Sequence, residues 1–587
     1  MVKVAINGRH LTLIASMCIL WMMMALLLGL SLRQNQGHLV YALDDAYIHM
    51  AMAKNFVRYG VWGLTKYEFT SSSSSPLWTL LLSLSFLISG VNETIPLILN
   101  IIFASFTILL VYMIARRYKI KRYYTFVILL STIIFTPFPA LVFAGMEHML
   151  HTFMTISFVF LATQAILKSE RDKNKLCLML VLTPLLTMAR YESLFLVFVT
   201  CILLAARKRL VLSLSLGMLA MAPIAIYGLI SLSNGYYFLP NSILLKSKLP
   251  KLSLTSIGNF LYEVLRNAIS NIKSSPHVFI LVVLASFLLI LLLHEQKTFW
   301  EDSIVMLTIF IITTFLHVLF ANTGHFFRYE AYLVALGIVV IAIGLLKYSW
   351  RVRAHNCVMA FIIFLALLIL ANRGVTSLII TPQATTNIYQ QQYQMGLFLR
   401  QFYQGDSIAA NDIGAINFLS DIRCLDLWGL GSLEVAKAKI EGKYNAQLIY
   451  NLSQQKKVKI AIVYEHWFKE YGGLPAQWIK VGEWRIPNNV ICGGDTVAFY
   501  AVDPTEESRL IENLRNFSSR LPRDVKQHGK YVNTNDEWGQ TQRVSFREGP
   551  LIMSLRFSKG LNVEYGLKKF VHVNSEAPYV IWHGVSR

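Results

Sequence analysis

Long apolar runs separated by short polar links fill the chain from residue 11 to residue 372, each run carrying at most one Asp, Glu, Lys or Arg. A helix needs about 20 such residues to cross the hydrocarbon of a bilayer. Runs at 11–31, 94–115, 123–143, 149–167, 176–189, 193–206, 210–232, 277–293, 302–321, 331–347 and 356–372 therefore predict about eleven transmembrane helices. The stretch from Pro76 to Gly90 (PLWTLLLSLSFLISG) is too short to cross comfortably and predicts a helix lying in the interface. The runs at 176–189 and 193–206 are short as well, and put Arg190, Tyr191 and Glu192 at the turn between them.

From about Arg373 the period changes. SIAAND (Ser407 to Asp412), RCLDL (Arg423 to Leu427) and VKIAIVY (Val458 to Tyr464) read as short buried strands, with QYQMGLFLRQF and SLEVAKAKI as helices around them. Such alternation predicts a small α/β layer domain. The expected organisation is an α-helical polytopic membrane domain at 1–372, with a first long loop at 32–93, followed by an α/β domain at 373–587. The stretch from about Val502 is mixed, and its element edges are open. No internal repeat is visible, which weighs against an inverted-repeat transporter.

Composition agrees: 55% of the 587 residues are hydrophobic and the mean hydropathy is +0.50. A net charge of +21 would suit nucleic acid were it not for its placement. The basic residues cluster between apolar runs, at Arg116 to Arg122, Lys168 to Lys175, Arg207 to Arg209 and Lys347 to Arg353, where the bias of cytoplasmic loops toward Lys and Arg accounts for them. Placing those clusters in the cytoplasm puts the 32–93 loop and the α/β domain on the extracytoplasmic face. Lys246, Lys248, Lys251, Arg266 and Lys273 then fall outside against the rule, and so call for a function. Lys3 and Arg9 precede the first run and no small-x-small cleavage site follows Leu30, the pattern of a retained signal anchor. Cys424 and Cys492 lie in the α/β domain and read equally as a disulfide or as two buried thiols. No Cys-x-x-Cys or His-x-x-x-His spacing marks a metal site.

Ionisable residues beside apolar spans are candidates for chemistry. Asp44 and Asp45 open the first loop, where a carboxylate suits general base catalysis; the plainer reading is a helix cap and a solvated neighbour on a short amphipathic helix lying on the bilayer. Glu147, followed by His148 and His151, stands at the mouth of the third crossing, and Arg190 and Glu192 suit each other as an ion pair. Asn241 and Lys246 follow Pro240, with a lysine that suits an anion such as phosphate. Arg328 sits among His325, Phe326, Phe327 and Tyr329, placed either to snorkel or to grip a phosphate. The serine run Ser71 to Ser75 reads as a flexible loop. Paired acids also suit a divalent cation, though no third ligand is evident.

Taken in order, DDAYI after the first span, SPLW before a short apolar helix, GME, ARYE, LPNSILLK, FRYEAY and NDIGAINFLSDIRCLDLWGL resemble the membrane-embedded C-type (GT-C) glycosyltransferases that use polyprenyl-phosphate sugars. Over residues 11–430 the chain is most similar to the branch of the mycobacterial terminal β-arabinofuranosyltransferase. The departures are Tyr191 where that family more often has Pro, His148 where it has Thr, and a serine run where it is richer in Gly and Asn. The resemblance implies an inverting transferase in a bacterial inner (plasma) membrane, moving an arabinofuranose-like or other monosaccharide to a cell-envelope glycan, lipid or protein. It implies Asp44 as the base with Asp45 orienting hydroxyls, Arg328, Lys246 and Arg190 on the donor phosphate, and Glu147, Asn241, Glu192 and His325 lining the pocket. The α/β domain would help bind the acceptor. Alternatives are a mannosyl- or aminoarabinosyl-type transferase of the same chemistry, a lipid flippase or transporter, and a scaffold whose spans only anchor it.

Overall fold

The computed structural model describes residues 10–167, 173–246, 257–296, 298–348 and 354–532. Lys3, Arg9, Lys168, Lys248, Lys251, Arg351, Arg353 and the stretch 533–587, all used in the charge and domain reading, lie outside the described residues. Helices come first: α1 (Leu11–Gln34), α2 (Asp44–Tyr59), α3 (Pro76–Ser89), α4 (Ile95–Arg117), α5 (Arg122–Phe135), α6 (Phe138–Phe143), α7 (His148–Leu167), α8 (Lys173–Ala189), α9 (Ser193–Ala206), α10 (Leu210–Ser233), α11 (Asn241–Lys246), α12 (Ile257–Ser274), α13 (Pro276–Gln296), α14 (Asp302–Phe320), α15 (Ala331–Lys347) and α16 (Ala354–Ile388). Each of the apolar runs lands on a helix, and the 123–143 run is broken into α5 and α6 beside Pro137. Among the described residues seven helical stretches are long and apolar enough to cross a membrane. Helices α3, α5, α9 and α15 are apolar but shorter; the 14 residues of α9 rise only about 21 Å against a hydrocarbon core of about 30 Å.

The compositional boundary at 373 falls inside a helix. Helix α16 continues to Ile388, passes through one π-helical turn at Tyr389–Tyr393 and resumes as α17 (Gln394–Phe402). Arg373 lies within that helix, its side chain buried against the carboxylate of Glu330. After α17 come β1 (Ser407–Ala410), α18 (Gly414–Leu419), β2 (Arg423–Asp426), α19 (Leu433–Ile440), α20 (Ala446–Gln455), β3 (Ile460–Val463), β4 (Ile479–Arg485), β5 (Thr496–Ala501), α21 (Glu507–Ser518) and β6 (Lys526–Gly529). They form one sheet in the order β2-β1-β3-β5-β4-β6. Strand β1 is parallel to β2 and β3, while β5, β4 and β6 run antiparallel. Continuous apolar sequence betrays the buried β3, whose four residues are all covered. Phe398 of α17, Trp484 of β4, Phe499 of β5 and Phe517 of α21 pack edge to face and stacked, with centroids 4.4 to 5.8 Å apart, and fix α17 and α21 to one side of the sheet.

Two expectations need correction, and one open pair of readings closes. Cys424 and Cys492 are free thiols. Strand β2 carries Cys424 and is separated from β5, just after Cys492, by β1 and β3, roughly 14 Å of sheet, beyond the reach of a disulfide. The serine run is no flexible loop. Ser71 Oγ meets Ser231 Oγ at 2.9 Å, Ser72 Oγ donates to Leu430 O at 2.8 Å, Ser73 Oγ lies 3.0 Å from Thr79 Oγ1, and Ser75 caps α3. Composition alone does not separate a solvated hydroxyl from one that joins buried segments. Helix α2, finally, does not lie on a surface: every residue from Ala46 to Asn55 is buried, because α3 covers one side and α18 the other.

Candidate functional site

Asp44 and Asp45 begin α2 and leave it in different directions. The Oδ2 of Asp44 accepts the N–H of Gly414 at 2.7 Å and its Oδ1 that of Ala415 at 2.8 Å, two of the donors that the start of α18 cannot satisfy within the helix. Farther along α2, Lys54 Nζ donates to the carbonyls of Asn417 and Phe418 at 2.9 and 2.8 Å. Carboxylate at the amino end and ammonium at the carboxyl end match the dipole of α18. A Cβ on Gly414 would stand 2.0 Å from the Asp44 carbonyl oxygen, so this contact needs glycine.

Asp45 faces cations instead. Lys246 Nζ lies 3.2 Å from both of its oxygens and Arg328 Nη2 lies 2.7 Å from Oδ2. Burial works to raise its pKa, but Lys246 and then Arg328 hold the carboxyl well below the usual range. Arg328 itself is 1% exposed. Tyr329 lies between two guanidinium groups, with its ring centroid 4.9 Å from Arg328 and 5.4 Å from Arg190. Arg190 in turn donates to Glu147 Oε1 at 2.7 Å and grips both oxygens of Glu192. Around this cluster the buried Glu147 Oε2, His148 Nε2 and Arg328 Nε have no hydrogen-bond partner, which leaves polar capacity facing inward.

Arg328 is delivered by strained backbone. Gly324, His325, Phe326 and Phe327 all have positive φ, at 82, 48, 58 and 61°, and each non-glycine residue there costs on the order of 1–2 kcal/mol. Buried Glu330 accepts the Gly324 N–H at 2.7 Å. Arg373 Nη2 reaches both Phe327 O and Glu330 Oε1 at 2.8 Å, and His277 Nε2 stands 3.1 Å from the same oxygen. A buried ion pair on three elements thus holds the turn.

Of the residues read from sequence, the structure brings together Asp45, Lys246 and Arg328, and joins Glu147, Arg190 and Glu192 to them through Tyr329. His325 is exposed and tilted against Tyr329 at 5.8 Å. Asn241 works elsewhere, its N–H on Ser71 O and its amide on Gly429 O at 3.1 Å. Sequence reasoning passed over Asp412, which follows β1 and accepts from Gln392 Nε2 at 2.7 Å and Tyr464 OH at 2.9 Å. Its signal was position: parallel strands present ligand-facing groups at their carboxyl ends. Glu330, Arg373 and Lys54 were missed as well, because the groups they bond lie far along the chain.

The charge of Asp412 bears on Asp44. Burial first, and next the charge of Asp412, raise the pKa of Asp44 against its two amide donors. Asp412 is raised by burial above all, and also by the charge of Asp45, against the bonds from Gln392 and Tyr464. A folded chain with raised carboxyl pKa values keeps protons that the unfolded chain has released, so this stability is full below the ordinary carboxylate range and falls as pH climbs through the raised values. Asp412→Asn is therefore expected to melt with the native chain near pH 4 and above it at pH 8, by thermal denaturation in detergent. A difference that does not change with pH rejects these raised values.

Residues 386–500, which hold the π-helical turn, Asp412, Tyr464 and β1 to β4, match a family described as a domain of unknown function (DUF8728). No curated protein matches the chain. Among solved structures it is similar to ArnT from Cupriavidus metallidurans bound to undecaprenyl phosphate, at 12% identity and a TM-score of 0.43, covering 85% of this chain and 99% of that one. The same protein in the apo state gives 10% identity, a TM-score of 0.44 and coverages of 84% and 99%.

Proposed function

We propose that the chain is an inverting glycosyltransferase that moves a monosaccharide from a polyprenyl-phosphate donor to an acceptor hydroxyl at the extracytoplasmic face of a membrane. The observation that supports this most is Asp45 held between Lys246 and Arg328, one carboxylate doing what a phosphate would do. A donor phosphate offers more oxygens and more charge, and takes both cations. Asp45 then loses the partners that depress its basicity and gains an anionic neighbour that raises it.

The base is thus armed by the donor. As the acceptor oxygen bonds to the anomeric carbon, Asp45 accepts its proton, the bond from that carbon to the phosphate oxygen breaks with its electron pair, and Arg328 and Lys246 hold the departing polyprenyl phosphate. Arg190, fixed by Glu147 and Glu192, keeps Tyr329 against Arg328. Asp44 has both oxygens on α18, and in this reading it positions the sheet domain and leaves the proton to Asp45.

The test is turnover by the purified full chain in lipid nanodiscs, supplied with a panel of polyprenyl-phosphate pentoses and hexoses and an envelope extract from a deletion strain. Release of free polyprenyl phosphate with one donor, together with a matching mass increment on the extract, is the expected result. Stable donors throughout the panel sink the proposal.

A further inference from the structure

The π-helical turn at Tyr389–Tyr393 has two working faces. On one, Gln392 holds Asp412 and Gln391 meets Tyr464. On the other, a groove of about 590 Å³ opens between the end of α1, α17 and α21. Tyr389 lines it, its hydroxyl donating to Gln36 Oε1 at 3.0 Å. His38 stacks on Tyr389 with ring centroids 5.5 Å apart and planes 22° from parallel, and tilts against Tyr393 at 5.6 Å. Arg400 and Arg520 line the groove with Gln394 and Gln401, and Arg520 Nη1 donates to Gln401 Oε1 at 2.7 Å. The lining carries two arginines and, among the described residues, no carboxylate.

Each part of this lining selects. Flat rings present a face to the C–H side of a sugar ring, side-chain amides match hydroxyls as both donor and acceptor, and guanidinium groups fork onto carboxylate or phosphate. A phospholipid headgroup would use the arginines and leave the stacked rings and amides without work. We propose that the groove binds an anionic saccharide. Its role as the acceptor site rests on the glycosyl-transfer reading; its ligand chemistry does not. The π-helical turn lines the groove through Tyr389 and bonds Asp412 through Gln392, so in the glycosyl-transfer reading the groove stands next to the acid cluster. π-Helical turns often mark functional positions in helices.

Binding is measured on the full chain in phosphatidylcholine nanodiscs by isothermal titration, with a galacturonate tetrasaccharide and its neutral methyl ester as probes. The expected result is a preference for the acid of about tenfold that shrinks as salt is raised. Arg400→Gln with Arg520→Gln, both exposed positions, should abolish the preference, and His38→Ala should weaken both probes. Failure of both probes to bind overturns the proposal, as does an undiminished preference in the double arginine variant. Retention of the protein by phosphatidylglycerol vesicles without saccharide binding overturns it in favour of a headgroup site. Probe binding by a native chain that releases no polyprenyl phosphate from any donor keeps the groove and sinks the transferase reading, so the two failures give different results.

Discussion

Asp45→Asn is expected to lower sugar transfer by about 10²- to 10⁴-fold, the range a general base contributes, while polyprenyl phosphate binds as tightly as before or tighter. Both halves follow from one geometry. The carboxylate that takes the proton in the reaction is the group that occupies Lys246 and Arg328 beforehand. Removing its charge removes the base and also frees two cations for the phosphate. Asp44→Asn differs: the amide oxygen keeps one of the two bonds to α18 and loses the other, so the chain should lose stability together with a smaller share of activity. Turnover and polyprenyl phosphate affinity measured on both variants separate the roles. Should Asp44→Asn prove the inactive protein and Asp45→Asn the active one, the two assignments are exchanged.

Arg373→Met should produce the largest loss of stability, about 3–5 kcal/mol, the cost of leaving one partner of a buried ion pair alone. Glu330 would then remain buried with a histidine and one backbone N–H. The left-handed turn would lose the clamp on Phe327 O, and its strain would relax by moving Arg328 off Asp45. Thermal denaturation reads the first effect and polyprenyl phosphate affinity the second. Adding Glu330→Gln to Arg373→Met should restore part of the stability, because the stranded charge is gone, and should restore none of the phosphate affinity, because the turn stays unclamped. Recovery of both would mean that the ion pair serves the fold alone.

How far the sequence foretold these features depends on whether a pattern is local. Apolar runs have a period and a length, and the helices of the bundle sit where those runs are. Strands β1 and β3 were legible because buried strands read as continuous apolar segments, and β2, at the sheet's edge, showed only as the short run RCLDL. Strands β4, β5 and β6 were not: EWR in β4 and KQHG in β6 carry more polar than apolar positions, and β4 finds β6 only across the intervening β5 and α21. The site divides in the same way. Asp44 and Asp45 stood out as adjacent charges after an apolar run, but their opposite fates come from Gly414, Lys246 and Arg328, hundreds of residues away. Asp412 looked like an ordinary strand-end acid until the fold set it against Asp44. The serines of 71–75 looked solvated because composition records a hydroxyl and not what it touches.

The uninterrupted passage from α16 through the π-helical turn into α17 makes this segment a ruler. A flexible tether would let the sheet domain search a volume that grows with linker length. A helix running from Arg373 to Phe402 fixes a height of roughly 40 Å instead. Whatever docks beside Tyr389 is held level with Asp412, which the same turn bonds through Gln392, so the chain selects partners by reach as well as by chemistry. Inserting a single residue into this helix would turn everything beyond it by about 100°, and inserting a whole turn would raise it by about 5 Å with its facing kept.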